Sequence, residues 1–317
     1  ALLARAFSAS AEPLRVGYNQ WAGFGPVFVA KEKGFFEDEG VDVSMRSFGG
    51  PADTLPPLIA GSLDVSLSTP DSVIPLNDNG KKVVAVMVLD ASHGGDGIIA
   101  RESIETVADL EGKRVGVTVG EVNHLLLMLA LEEAGLSGED IDQTNMGAGD
   151  AGAAFLSGSL DAAVTWEPWL SRAREGDGHV LFTSADVPNM LIDVVTVTPE
   201  TLDAREDDLR AFTAAIDRAL AEIDANPEQS YEIIADWLDT EADQVAGMME
   251  GIRVYGSEKN TQLFSEDDGI AHSFSRIQDF LIDQDLAEEG LDATEMLDGR
   301  RSEEHTSQLQ SLSHISY

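Results

Sequence analysis

An internal duplication constrains this chain more than any other feature. Arg15-Val16-Gly17 recurs as Arg114-Val115-Gly116, 99 residues on. Glu37-Asp38-Glu39-Gly40-Val41 resembles Glu132-Glu133-Ala134-Gly135-Leu136 at an offset of 95. Gly61-Ser62-Leu63-Asp64-Val65 returns as Gly158-Ser159-Leu160-Asp161-Ala162 at an offset of 97. Three matches in the same order at nearly one spacing mean two copies of a unit. Such a period is too long for a solenoid, so the copies are expected to form two lobes of one architecture.

Each copy reads as strand, helix, strand, helix, strand. The first has strands at Leu14–Tyr18, Val41–Arg46 and Val65–Ser68, with helices at Pro26–Glu39 and Thr54–Ala60. The second repeats the order with strands at Arg114–Thr118, Asp142–Met146 and Asp161–Trp166 and helices at Leu125–Ala134 and Ala151–Ser157. Gly40 and Gly61 fall where helices stop, since glycine takes the left-handed cap conformation without strain. Short strands alternating with helices predict an α/β chain with mostly parallel sheets and helices on both faces. Pro199–Leu297 reads as mostly helical. There Leu209, Phe212, Ile216, Leu220 and Ile223 form one apolar stripe, and Asn226-Pro227 opens the next helix.

Composition removes several functions. Acidic residues outnumber basic ones 58 to 20, a formal charge of −38 over 317 residues. Such a surface repels phosphate backbones and anionic lipid, so no nucleic-acid or membrane-surface partner is expected. The absence of cysteine excludes disulfides, thiolate zinc sites and cysteine nucleophiles. No run of about 18 apolar residues could span a membrane. The histidines lack metal-ligand spacing and there is no G-x-S-x-G elbow, so neither a metal, a cofactor nor a catalytic role is expected.

One motif points elsewhere. Gly147-Ala148-Gly149-Asp150-Ala151-Gly152 is a literal G-x-G-x-x-G with Glu167 20 residues beyond its start. That is formally a dinucleotide fingerprint, and a dinucleotide-dependent oxidoreductase is the alternative from another class. The helix that follows is only about two turns long, and the loop belongs to the second strand–helix step of its copy, whereas the phosphate loop normally comes first.

The ends are set apart. Residues 1–11, closing on Ser8-Ala9-Ser10-Ala11, read as the remnant of a signal peptide. Residues 300–317 resemble translated adapter DNA and are expected to be non-native. Between them, 12–98 plus 197–299 are assigned to lobe I and 99–196 to lobe II. Gly97–Ala100 and Val194–Thr198 are the expected crossover segments.

In open sheets ligands bind beyond the carboxyl ends of the strands. This nominates Asn19-Gln20-Trp21, Phe48–Pro51 and Thr69-Pro70-Asp71 in one lobe. In the other it nominates Gly120–His124, Gly147–Asp150 and Trp166–Trp169. Facing loops from two lobes make a cleft that can close on a small molecule. The candidate ligand contacts are Asn19, Trp21, Asp71, Asp96, Glu121, Asn123, His124, Trp166, Glu167 and Asp193. Replacing Trp21 or Glu167 by Ala is expected to weaken solute binding at least tenfold with little change in melting. Asp64 and Asp161, at equivalent places in the repeat, read as structural.

Gly17-Tyr18-Asn19-Gln20-Trp21, Ala30-Lys31-Glu32-Lys33-Gly34-Phe35-Phe36, Asp109-Leu110-Glu111-Gly112-Lys113 and Trp166-Glu167-Pro168-Trp169 resemble the substrate-binding proteins of nitrate/sulfonate/taurine ABC transporters. The resemblance covers about Leu14–Leu286. It implies a two-lobed type II periplasmic binding protein fold, with two mixed, mostly parallel sheets joined by a two-segment hinge. It further implies a monomer outside the inner membrane that delivers a solute to permease subunits. A related family that makes a thiamin pyrimidine precursor depends on cysteine-rich motifs that this chain lacks.

Two solute classes stay open. The nominated loops hold Asp71, Glu121, Asp150 and Glu167 but no Lys or Arg. Trp21 and Trp166 can offer ring faces to a cation. These features favour a cationic or zwitterionic nitrogenous solute: an amine, a guanidinium compound or an amino-sulfonate such as taurine. The alternative is a small anion, nitrate or an alkyl sulfonate, held at helix N-termini.

Overall fold

The computed structural model describes residues 12–78, 80, 82–266, 269–288 and 292–299. The expected signal remnant and the expected non-native tail lie outside these residues. The first copy comprises β1 (Leu14–Asn19), α1 (Gly25–Glu32), α2 (Phe35–Glu39), β2 (Val43–Phe48), α3 (Leu55–Ile59), β3 (Val65–Ser68), α4 (Pro70–Asp78) and β4 (Val84–Ser92). The second comprises β5 (Asp96–Arg101), β6 (Arg114–Val117), α5 (Val122–Glu133), β7 (Asp142–Asn145), α6 (Ala148–Leu156), β8 (Ala162–Trp166), α7 (Trp169–Glu175) and β9 (Gly178–Thr183). The chain returns through β10 (Ile192–Val197) into α8 (Pro199–Ala204), α9 (Glu206–Ala225), α10 (Pro227–Leu238), α11 (Ala242–Glu250), β11 (Ile252–Val254), α12 (Ser257–Ser265) and α13 (Ile270–Asp283).

Two sheets result, ordered β11-β4-β10-β3-β1-β2 and β7-β6-β8-β5-β9. The repeat is visible in both. β1 pairs in parallel with β2 and β3, and β6 pairs in parallel with β7 and β8. Strands that enter or leave each lobe, β4, β5, β9, β10 and β11, pair antiparallel. Both sheets are therefore mixed, as expected; among the named strands parallel pairing is confined to the duplicated ones, a smaller share than the strand–helix alternation predicts.

Equivalent residues do equivalent work. The Arg15 backbone N–H donates to Asp64 Oδ2 at 2.9 Å, and the Arg114 N–H donates to Asp161 Oδ2 at 2.9 Å. A Cβ at Gly17 would lie 2.5 Å from Leu63 Cδ1, and one at Gly116 would lie 2.5 Å from Leu160 Cδ1. Each middle strand thus needs a glycine because the leucine of the helix–strand turn lies across it.

Three readings change. The expected helix at Pro26–Glu39 is two helices, broken where Gly34 takes φ 72°. Gly97–Ala100 is not a crossover but the interior of β5, and Val194–Val197 lies within β10. The connections between the sheets are residues 93–95 and 184–191, and they are tied together: the Ser92 and Ser184 hydroxyls hydrogen-bond at 2.8 Å, and the Gly94 N–H donates to Ser184 Oγ at 2.7 Å. Sheet membership therefore gives Asp96–Ile98 to the second lobe and Ile192–Thr196 to the first.

The helical third region covers the first lobe. The stripe Leu209, Phe212, Ile216 and Ile223 is buried, and Phe212 stacks on Phe36. Helix α13 also reaches the second lobe, where Phe280 packs edge-on against His124. Apolar contact therefore joins the lobes on one side, and the cleft opens elsewhere between them.

Candidate functional site

Loops beyond β1, β2, β6, β7 and β8 meet between the lobes, as the strand-end rule requires. They enclose two adjoining chambers that share Asn19, Gln20, Trp21 and Trp166 as a common wall. The outer chamber, of about 380 Å³, is bounded by the β2 loop at Ser47–Gly49, by Gly149, by Glu167–Trp169 and Arg172, and by the α10–α11 turn at Asp239-Thr240. The inner one, of about 50 Å³, is bounded by Thr69, Ser92, Asp96, Glu121, Asn123 and Asp193.

Trp21 is the fixed wall. Its Nε1–H donates to Asp90 Oδ1 at 3.0 Å, and only 9% of the residue is exposed. A Cβ on Gly95 would come within 3.0 Å of the Gly251 carbonyl and 3.3 Å of the indole edge, so a side chain at this residue of the crossover would crowd both. Asp90 was not legible as a site residue. Its one signal is a carboxylate inside the apolar run Val84-Ala-Val-Met-Val-Leu-Asp90. It stands directly opposite Asp193 across the β4–β10 pair. Like charges so placed repel. Burial raises Asp193 well above the usual carboxylate range, helped by the charges of Asp90 and Asp96. Burial likewise pushes Asp90 up to about 7, against hydrogen bonds from Trp21 and Asp193. One proton shared between the two carboxyls relieves the repulsion.

Across the cleft, Asp96 accepts from Asn123 Nδ2 at 3.3 Å, and burial raises it to about 6. Burial raises Glu121 to about 7, with Asp71 and Asp53 adding to it. Asp71 is fully buried, raised to about 6 by burial and held by Thr69 and the Val122 N–H. The inner chamber is thus bordered by acids and, among the described residues, has no Lys or Arg in its lining.

Of the ten candidates, Asn19, Trp21, Asp96, Glu121, Asn123, Trp166, Glu167 and Asp193 border the chambers, while Asp71 borders neither and acts on Glu121 as a neighbouring like charge. Glu167 borders the outer chamber, but its carboxylate is engaged: it accepts from the Ser171 N–H at 3.0 Å and pairs with Arg174 at 3.2 Å. His124 does not reach the cleft. Its Nδ1 accepts from the Gly120 N–H at 3.3 Å, its ring faces Phe280, and burial lowers its pKa. One step along α5 turns it about 100° away from Asn123, toward α13. Sequence reasoning also missed Arg172, which lies a turn into α7 rather than in a loop and stacks 4.9 Å from the Trp169 ring.

The G-x-G-x-x-G has a packing explanation. A Cβ on Gly152 would lie 2.5 Å from Trp169 Cγ, so the last glycine admits the indole against α6. Only Gly149 of the three glycines borders a chamber.

Two duplicated lobes around a polar cleft, with paired crossovers, define a solute-binding protein of the periplasmic binding fold. The sequence matches the NMT1/THI5 like family over residues 21–230, and the chain belongs to that family. A Brucella abortus chain named as a binding protein is 32% identical over 235 residues, 71% of this chain and 72% of its own. The taurine-binding periplasmic protein of Escherichia coli is 26% identical, covering 70% of each chain. The crystal structure of the E. coli periplasmic aliphatic sulphonate binding protein SsuA superposes with a TM-score of 0.76 at 25% identity, over 90% of this chain and 97% of its own. The desulfurization enzyme DSZB shares the fold at 14% identity and a TM-score of 0.71.

Proposed function

We propose that this chain captures a small organosulfonate in the interlobe cleft by hinge closure and delivers it to the permease of an ABC import system. The carrying observation is the outer chamber. It is open to the first turn of α6 at Gly149 and bordered by Arg172, the one basic side chain around either chamber among the described residues. Backbone N–H groups at a helix start, the helix dipole and a guanidinium together suit an oxyanion. Relatives named for aliphatic sulfonates and taurine support the same choice. They move the balance from the cationic or zwitterionic nitrogenous solute expected from the sequence toward the anion alternative.

Solute that bridges both lobes favours the closed state by its differential affinity. The reading includes an extracytoplasmic site of action and a monomeric subunit, which light scattering would check. Tryptophan fluorescence titration tests the rest, because Trp21, Trp166 and Trp169 line the cleft. Ethanesulfonate or taurine should produce a saturable change with a dissociation constant near micromolar, about −8 kcal/mol. A response to NAD alone would establish the oxidoreductase reading instead, and a response to nitrate but no sulfonate would replace the solute class.

A further inference from the structure

We infer that Gly251, in the turn from α11 into β11, is a positioning residue for closure: its close contact with Gly95 makes the helical region a third support of the hinge, beside the two crossovers. This goes beyond the proposed capture of a sulfonate; it rests on the hinge closure in that reading and not on the solute class.

The first crossover is gripped along its length. β11 pairs with the end of β4, where Ile252 stands opposite Ser92. Just before it, the Gly251 carbonyl accepts from the His93 N–H at 2.8 Å and from the Gly95 N–H at 3.0 Å. The N–H between them, that of Gly94, goes to Ser184 of the other crossover. The Gly95 carbonyl in turn accepts from the Glu167 N–H of the second lobe at 2.9 Å. A chain of backbone hydrogen bonds therefore passes from the first lobe through Gly95 into the second.

The spacing leaves no room for a side chain. A Cβ on Gly251 would lie 2.7 Å from Gly95 N and 2.9 Å from Gly94 C. Gly251 has φ −91°, outside the left-handed region that favours glycine. The nearness of the crossover, and not backbone conformation, is what calls for glycine there. Both ends of the hydrogen-bond chain also reach the outer chamber. Met248, in the last turn of α11, borders it from the first lobe, and Glu167 borders it from the second. The Gly251 N–H donates to the Met248 carbonyl at 3.0 Å. A solute that shifts either wall therefore acts on Gly95 through backbone groups in direct contact, and packed contacts amplify small shifts of this kind into domain motion.

The test is an interlobe distance. The chain has no cysteine, so Asp42→Cys and Asp142→Cys, exposed residues one in each lobe, can carry spin labels for pulsed dipolar spectroscopy of the full chain. In the ligand-free protein Gly251→Ala should shift the mean distance by about 2 Å or more, and Gly95→Ala should do so from the other side of the contact. Gly247→Ala, at an exposed place in α11 where a Cβ would meet nothing within 4 Å, should leave the distance unmoved. A packing role alone would lower the melting temperature of Gly251→Ala without moving the distance. An unmoved distance in both variants, or in whichever of them folds, would overturn the third support, as would an equal shift in Gly247→Ala. Titrating the labelled parent with ethanesulfonate and taurine separates the two readings. No distance change with either, beside a shift in the glycine variants, would overturn the sulfonate reading and keep the hinge support.

Discussion

Asp64 and Asp161 occupy the same place in the repeat but are not equally valuable. Asp64 takes three hydrogen bonds from Arg15, at 2.8–2.9 Å, and its side chain is 10% exposed. Asp161 takes one from the Arg114 backbone, with its side chain 39% exposed and the guanidinium 3.7 Å away. Buried charge-assisted bonds are worth about 1.5–3 kcal/mol each at most, exposed ones far less. Asp64→Ala should therefore cost about 2–4 kcal/mol in chemical denaturation and Asp161→Ala about 1 or less. Equal losses would mean that burial does not set the difference. Trp21 departs from the expectation that its removal spares the fold. It packs in the first lobe's core with Tyr18, Ala22 and Phe24. Trp21→Ala should lower stability by about 3–5 kcal/mol as well as weaken binding, read from paired melts and titrations.

At the level of elements, the duplicated strands were legible because period and spacing encode them. Gly34 shows the limit: a helix-period pattern runs through it, and only its positive φ separates α1 from α2. Helix α6 shows the opposite limit, where a motif matched and its meaning did not. Gly152 exists to seat Trp169. Gly152→Val should destabilise the second lobe by about 1–3 kcal/mol through overpacking and shift Trp169 emission. An unchanged melt would leave the glycine without a packing role. His124 and Asn123 are adjacent in sequence, yet one helix turns the first toward α13 and the second toward the cleft.

The whole molecule carries −38 charges and buries several carboxyls at its centre. Asp71 and Asp96 titrate at about 6, and Asp90 and Glu121 at about 7, because burial disfavours their charged forms. In the unfolded chain such groups ionise near 4. Between those values the folded state binds more protons than the unfolded one. Stability is then fully present below about pH 4 for these groups and falls as pH rises to about 7. The ligand-free protein should melt higher at pH 5 than at pH 8. Surface repulsion contributes in the same direction, but salt screens it. The part of the difference that survives in 1 M NaCl belongs to the buried acids. Complete loss of the difference in salt would assign it to the surface instead.

What this sequence determined by itself was local or repetitive: two copies, their strand–helix order, the loops at strand ends, and the aromatic and acidic character of those loops. These follow from residue period, turn chemistry and spacing, which need no knowledge of distant contacts. The tertiary structure decided where the chain crosses between lobes, that Asp90 meets Asp193, that Arg172 reaches the cleft while His124 turns away, and that Glu167 is already engaged. Each of those depends on strands and helices far apart in the chain being brought side by side. Charge and hydrogen-bond satisfaction in the cleft are properties of that assembled neighbourhood, so no single stretch of residues contains them.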